Sequence, residues 1–155
     1  MPVFIAHRGN ISGINPDLEN TIDYLRQAHN EGFGVECDLQ VHKGALYLGH
    51  DEPQEQADYS FLTKPYVFCH AKTVDTMQIL INSGLHCFWH ENDKMTLTSL
   101  GFMWCYPGIY PEHHKAIWLD IPEHNGGNPL PKDVASKDIF GVCGDNYYNI
   151  KWETY

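Results

Sequence analysis

Short runs of apolar residues recur along the chain, with polar or helical-period material between them. Val3–Ala6, Gly34–Asp38, Tyr66–His70, His86–His90, Phe102–Cys105, Ala116–Leu119 and Ile139–Cys143 have the length of buried strands. Glu19–Asn30 carries Ile22, Leu25 and Ala28 at helical spacing, and Val74–Ser83 does the same with Val74, Met77, Ile79, Leu80 and Ile81. Gly84 supplies a C-cap for the second helix. Strands alternating with helices predict βαβ units and a parallel sheet. The pattern breaks in three places. Val41–Leu48 reads as strand, glycine turn, strand, a hairpin that returns Gly49-His50-Asp51 toward the C-terminal end of the second strand. Thr96–Ser99 is followed too closely by Phe102–Cys105 for a parallel crossover, so a hairpin or bend is expected there. Pro122–Pro131, rich in proline and glycine, is expected to be a loop.

The 155 residues suit a single domain, 1–155, with 43% hydrophobic and 19% charged residues. Twenty Asp+Glu against ten Lys+Arg give a net charge of −10, the wrong sign for nucleic acid or an anionic membrane surface. No apolar run reaches the roughly 18 residues of a transmembrane helix. The start, Met1-Pro2-Val3-Phe4-Ile5, lacks the basic and long apolar regions of a signal peptide, so a cytoplasmic address is expected. The five cysteines form no C-x-x-C pair and sit in apolar runs, which predicts buried free thiols, with Cys37 and Cys69 facing outward against helices.

Two segments carry candidate chemistry. In Glu36-Cys37-Asp38, strand alternation puts both carboxylates on one face, where they either bracket a divalent cation or lie solvated at an open strand end. His7-Arg8-Gly9 ends the first strand with a candidate acid or base, a bidentate phosphate binder and a residue that lets a ligand approach the backbone.

His7-Arg8-Gly9, Glu19-Asn20-Thr21, Glu36-x-Asp38 and His50-Asp51, in that order, resemble the motifs of the glycerophosphodiester phosphodiesterase family, a TIM-barrel group allied to phosphatidylinositol-specific phospholipase C. The likeness covers residues 3–51 and extends to about residue 73; further on, Gly144-Asp145 is similar to the family's T-D. It implies an α/β fold, a miniature or incomplete TIM-like (β/α) barrel, because family members are usually about 250 residues long. It also implies a metal-dependent phosphodiesterase that cleaves a small-molecule, glycerophosphodiester-like phosphodiester by two-histidine acid–base catalysis. In that reading Glu36 and Asp38 hold the metal, His7 and His50 are the acid–base pair, and Arg8 contacts phosphate.

The chain departs from the family in two motifs. P-E-N-T is stretched to Pro16-Asp17-Leu18-Glu19-Asn20-Thr21. The I-E-x-K of strand three becomes Cys69-His70-Ala71-Lys72, which places His70 at the third ligand position and keeps Lys72 as a phosphate contact. The expected ion is magnesium, calcium or manganese, with zinc admitted if His70 ligates. Two alternatives stand beside this function: a non-catalytic phosphate-ester binding barrel, and a lyase of the sphingomyelinase-D type. His90 and Glu91 are placed to enter the site, and Tyr106, Asp120 and Asp145 to face the same rim. His113 and His114 are expected in solvent, and His29, His42, His86 and His124 as surface or capping residues.

Overall fold

The computed structural model describes residues 1–150. The last five residues of the expected single domain lie outside the described residues. The alternation of strand and helix builds a ten-stranded mixed sheet. Strands β1 (Val3–His7), β2 (Gly34–His42), β5 (Val67–Ala71), β6 (Cys87–Phe88), β8 (Met103–Cys105), β9 (Ala116–Asp120) and β10 (Gly141–Gly144) run parallel, in the order β6-β5-β2-β1-β10-β9-β8. Strand β7 (Met95–Leu97) pairs antiparallel with β8, the hairpin expected from the short gap. Strand β3 (Ala45–Leu48) folds back on the far end of β2, and β4 (Glu55–Gln56) adds to β3.

The sheet curls strongly. Ser99 N donates to Cys87 O at 2.8 Å and Thr96 Oγ1 to Trp89 O at 3.2 Å, so its two ends, β6 and β7, lie side by side. The result is a mixed α/β fold with a curled sheet and few helices, compatible with an incomplete barrel.

Three helices are long enough to name: α1 (Ile22–Asn30), α2 (Tyr59–Leu62) and α3 (Val74–Asn82). Helix α1 begins three residues later than its apolar period predicts. Leu18–Asn20 form a turn instead, with Asn20 at φ +56°, because the Glu19 and Asn20 side chains are engaged elsewhere. Thr73 caps α3 by accepting from Thr76 N at 3.1 Å, and the chain leaves it through Gly84 at φ +71°. The short α2 and β4 have too few residues to show a period and were not expected. Pro122–His124 form a single 3₁₀ turn inside the expected loop. Among the described residues no helix is long and apolar enough to cross a membrane.

Strand alternation sorts the core into two clusters. Phe4, Ala6, Val35, Leu39 and Val67 face outward and pack with Leu25 and Ala28 of α1, Phe61 and Leu62 of α2, and Leu80 of α3. Cys37 and Cys69 belong to this outer cluster, and all five cysteines are free and buried. Ile5, Phe68, Phe88, Trp104, Ile117, Leu119 and Cys143 fill the concave side. The same inward register, continued to the C-terminal strand ends, changes from apolar to polar. His7 follows Ile5, His70 follows Phe68, and His90 follows Phe88, each two residues on.

Candidate active site

The polar rim is assembled by two turns that few sequences permit. After His7 the chain takes two successive positive-φ residues, Arg8 at +53° and Gly9 at +92°. A Cβ on Gly9 would lie 2.7 Å from the Tyr24 ring, so only glycine fits. This turn aims the Arg8 backbone N–H at Glu36 Oε2 (3.2 Å) and brings its side chain between Asp38 and Glu19. At the end of β3, Gly49 has φ +141°, and a Cβ there would collide with Glu52 O at 2.0 Å. Gln40 Nε2 donates to the carbonyls of Gly49 (2.9 Å) and His50 (3.1 Å), pinning the returning loop so that His50 reaches the rim.

Glu36 and Asp38 are almost wholly buried, and their surroundings compensate the charge. Asp38 Oδ1 lies 3.1 Å from His70 Nδ1 and 3.5 Å from Lys72 Nζ, and Oδ2 lies 3.0 Å from Arg8 Nε. Asn20 completes the ring: its Nδ2 donates to Asp38 Oδ2 at 3.0 Å, and its Oδ1 accepts from Asp38 N at 2.9 Å. Burial pushes the Asp38 carboxyl up, but the His70 hydrogen bond and the charges of His70, Lys72 and Arg8 outweigh it and hold it well below the usual carboxylate range. Glu36 Oε1 is 3.5 Å from His70 Nδ1, and its Oε2 is 4.0 Å from His7 Nε2.

His7 is oriented from its other ring nitrogen. Nδ1–H donates to Asp145 Oδ1 at 2.8 Å, which leaves Nε2 turned toward Glu36. Asn10 Nδ2 donates both to Asp145 Oδ1 and to Glu19 Oε1, each at 2.8 Å. Burial lowers the His7 pKa, but the Asp145 hydrogen bond and the Glu36 and Asp145 charges reverse this and leave it raised. His70 is raised in the same way, with burial opposed by Asp38 and Glu36. His90 is lowered, by burial first and then by the His70 charge. Its ring stacks on His70 at 4.8 Å and 3°, while Phe88 stacks on His70 at 4.7 Å and 10°.

His7, Arg8, Glu36, Asp38, His70 and Lys72 are thus one contact network. His50 lines the same cavity, of about 620 Å³, from the β3 loop, with its Nδ1–H donating to Asp51 at 2.7 Å. His90 and Glu91 also line it. Glu36, Asp38 and His70 offer one donor atom each within 4.8 Å of one another. His70 Nδ1 lies 3.1 Å from Asp38 Oδ1 and 3.5 Å from Glu36 Oε1, and two carboxylates and an imidazole are a donor set of the kind that divalent ions take. Ligation through His70 Nδ1 would displace its proton.

Several sequence expectations need correction. Asp120 does not face this rim: Leu119 points inward, so alternation turns Asp120 outward to a small pocket beside Pro129–Lys132. His86 is neither surface nor cap. It lies at the opposite end of the concave side, with Nε2 2.8 Å from Thr98 Oγ1 and its ring 4.6 Å from Phe68. His124 is exposed, as expected of a surface residue, and also lines the cavity. Asp145 faces the rim, as its position two residues after inward-facing Cys143 predicts, and there it orients His7; no pattern in the sequence points to Asn10. Comparison with family models, with curated proteins and with solved structures gives no match.

Proposed function

We propose that the chain is a metal-dependent phosphodiesterase built on a miniature, incomplete TIM-like barrel. The observation that carries this reading is one cavity lined by buried Glu36, His70, the cations Arg8 and Lys72, and His7 and His50, with Asp38 in contact behind Arg8, His70 and Lys72. Glu36, Asp38 and His70 would hold magnesium, calcium, manganese or zinc, and such an ion, when bound, neutralises charge building on a non-bridging phosphate oxygen. Arg8 and Lys72 draw the phosphate to the same spot and share its charge. His7, fixed through Nδ1 by Asp145, offers Nε2 to a proton, and His50 approaches from the hairpin loop. One takes the proton of the attacking hydroxyl and the other returns a proton to the leaving alcohol oxygen, so the P–O bond broken is matched by the P–O bond formed.

One observation favours a second reading, the non-catalytic phosphate-ester binder. Asp38 is already neutralised by Arg8, His70 and Lys72. Hydrolysis of bis(p-nitrophenyl) phosphate, abolished by EDTA and restored by manganese or another divalent ion, supports the enzyme. Binding of phosphate esters with no turnover under any of the four metals overturns it in favour of the binder.

A further inference from the structure

Asn10 is buried between the two carboxylates that hold His7 and Arg8. Its Nδ2 donates to Asp145 Oδ1 and to Glu19 Oε1, each at 2.8 Å. Its Oδ1 accepts from the Asn15 backbone N–H at 3.2 Å and from the Tyr24 hydroxyl at 3.3 Å. Both amide hydrogens and both lone pairs of the oxygen are thus used, which fixes the amide in one orientation. The acceptor side ties Asn10 to the loop after β1 and to α1, and the donor side faces the site. Asp145 Oδ1 is the same oxygen that takes His7 Nδ1–H at 2.8 Å, and Glu19 presents its other oxygen, Oε2, to Arg8 Nη1 at 3.3 Å. His7, Asp145, Asn10, Glu19 and Arg8 form one unbroken chain of hydrogen bonds.

We propose that Asn10 is a positioning residue that sets the His7 imidazole and the Arg8 guanidinium in register, so that one phosphate meets both. This rests on the phosphodiesterase reading of the site. Two carboxylates need two N–H groups here, and a serine or threonine supplies only one donor. A lysine or arginine would bring its donors with a positive charge, competing with His7 for Asp145 and with Arg8 for Glu19. An aspartate would set three carboxylates side by side, which like charges oppose. The short neutral amide orients both carboxylates and leaves their charge to His7 and Arg8. Without it Asp145 is free to turn, and His7 with it, so kcat falls. Glu19 is freed as well, Arg8 loses its anchor, and KM rises. A lost hydrogen bond to a charged group corresponds to roughly 10- to 100-fold.

The test measures turnover of bis(p-nitrophenyl) phosphate by the manganese-loaded full chain and, by NMR on the metal-free protein, exchange of the His7 Nδ1–H proton with water. Asn10→Ala is expected to lower kcat about tenfold, to raise KM by a similar factor and to speed that exchange about tenfold. In an Asp145→Ala background the same substitution should cost kcat less than about threefold more, because the carboxylate through which it acts on His7 is gone. A merely structural Asn10 would lower the Tm, leave the Nδ1–H exchange as in wild type and multiply its kcat loss in full in the double variant; either of the last two results overturns the proposal. Asn10→Ser, which keeps one donor, gives the same readouts if thermal melts show that Asn10→Ala fails to fold. If the wild type turns nothing over, the phosphodiesterase reading fails, and the Nδ1–H exchange and calorimetric binding of inorganic phosphate decide the role of Asn10. Faster exchange with weaker phosphate binding in the variant supports positioning, and an unchanged value of either overturns it.

Discussion

Replacing His70 by glutamate inverts the charge at the centre of the site, and its consequences are computable from distances already given. His70 Nδ1 lies 3.1 Å from Asp38 Oδ1 and 3.5 Å from Glu36 Oε1; both carboxylates are buried and the imidazole is partly buried at the cavity wall. Unit charges at those separations interact by about 5 kcal/mol in an effective dielectric of 20. Burial alone would lower the His70 pKa, but Asp38 and Glu36 raise it, so the imidazolium contributes attraction in the metal-free protein. His70→Glu turns that attraction into repulsion among three carboxylates, with Arg8 and Lys72 as the remaining counter-charges. After relaxation the loss should be about 3–5 kcal/mol, the range for breaking a buried ion pair.

For a chain of this size that loss lowers the Tm of EDTA-treated protein by on the order of 10 °C. Metal should reverse the ranking. Three carboxylates suit calcium and magnesium, whereas two carboxylates and an imidazole suit manganese and zinc. At one hundred times its dissociation constant a preferred ion returns about 2.7 kcal/mol. The assay is thermal melting of wild type and His70→Glu, first in EDTA and then with each of the four ions. The wild type should gain most from manganese or zinc, and the variant from calcium or magnesium. Equal melting temperatures in EDTA together with an unchanged metal ranking would refute the electrostatic argument and the ligand role of His70 alike.

Further expected outcomes are these. His7→Ala and His50→Ala should each reduce kcat by about 10²–10⁴, and Asp145→Asn by at least tenfold with KM little changed; near-wild-type turnover in either histidine variant removes that residue from the mechanism. His90→Ala, which strips the stack from one side of His70, should weaken manganese binding by about tenfold in calorimetry, while His90→Phe should preserve it; equal loss in both would show that the imidazole itself is needed. Burial lowers the His86 pKa from 6.5 to about 4, so between those values only the unfolded chain takes up the proton and stability falls as pH falls. Because His86 is only partly buried, the contribution is discounted for solvent screening to about 1–2 kcal/mol. The drop in Tm from pH 7 to pH 4.5 should then be smaller in His86→Gln by about 3–6 °C.

What the chain disclosed in advance follows from the range of the forces involved. Period-two burial in β1, β2 and β5 is a local signal, so the strands, the shared face of Glu36 and Asp38, and the outward Cys37 and Cys69 were all legible. The start of α1 was not, because Glu19 and Asn20 have ordinary helix-compatible identities and leave the helix only to serve Arg8, Asn10 and Asp38. The His7–Asp145 pair spans 138 residues, and nothing in the spacing of either could announce it. Asp120 shows a different limit: its place at a strand end predicts the rim, but Leu119 turns inward and alternation therefore turns Asp120 outward. Alternation errs by a whole face when it errs by one residue.

The ion-pair ring around Asp38 bears directly on how a phosphate would be admitted. Asp38 has three cationic neighbours and both bonds of Asn20, more than one carboxylate needs. Arg8 Nε is buried and, although 3.0 Å from Asp38 Oδ2, makes no hydrogen bond. Its grip on Asp38 is therefore Coulombic and undirected, while its Nη1 holds Glu19 at 3.3 Å. In the phosphodiesterase reading, an arriving phosphate would take the guanidinium as a partner without stripping Asp38 of its directed contacts, because Asn20 and His70 stay in place. A lone arginine–aspartate pair would have to break for that exchange, leaving a buried carboxylate uncompensated. If the proposed function holds, the surplus of positive charge around Asp38 would let Arg8 serve the resting site and the phosphate in turn.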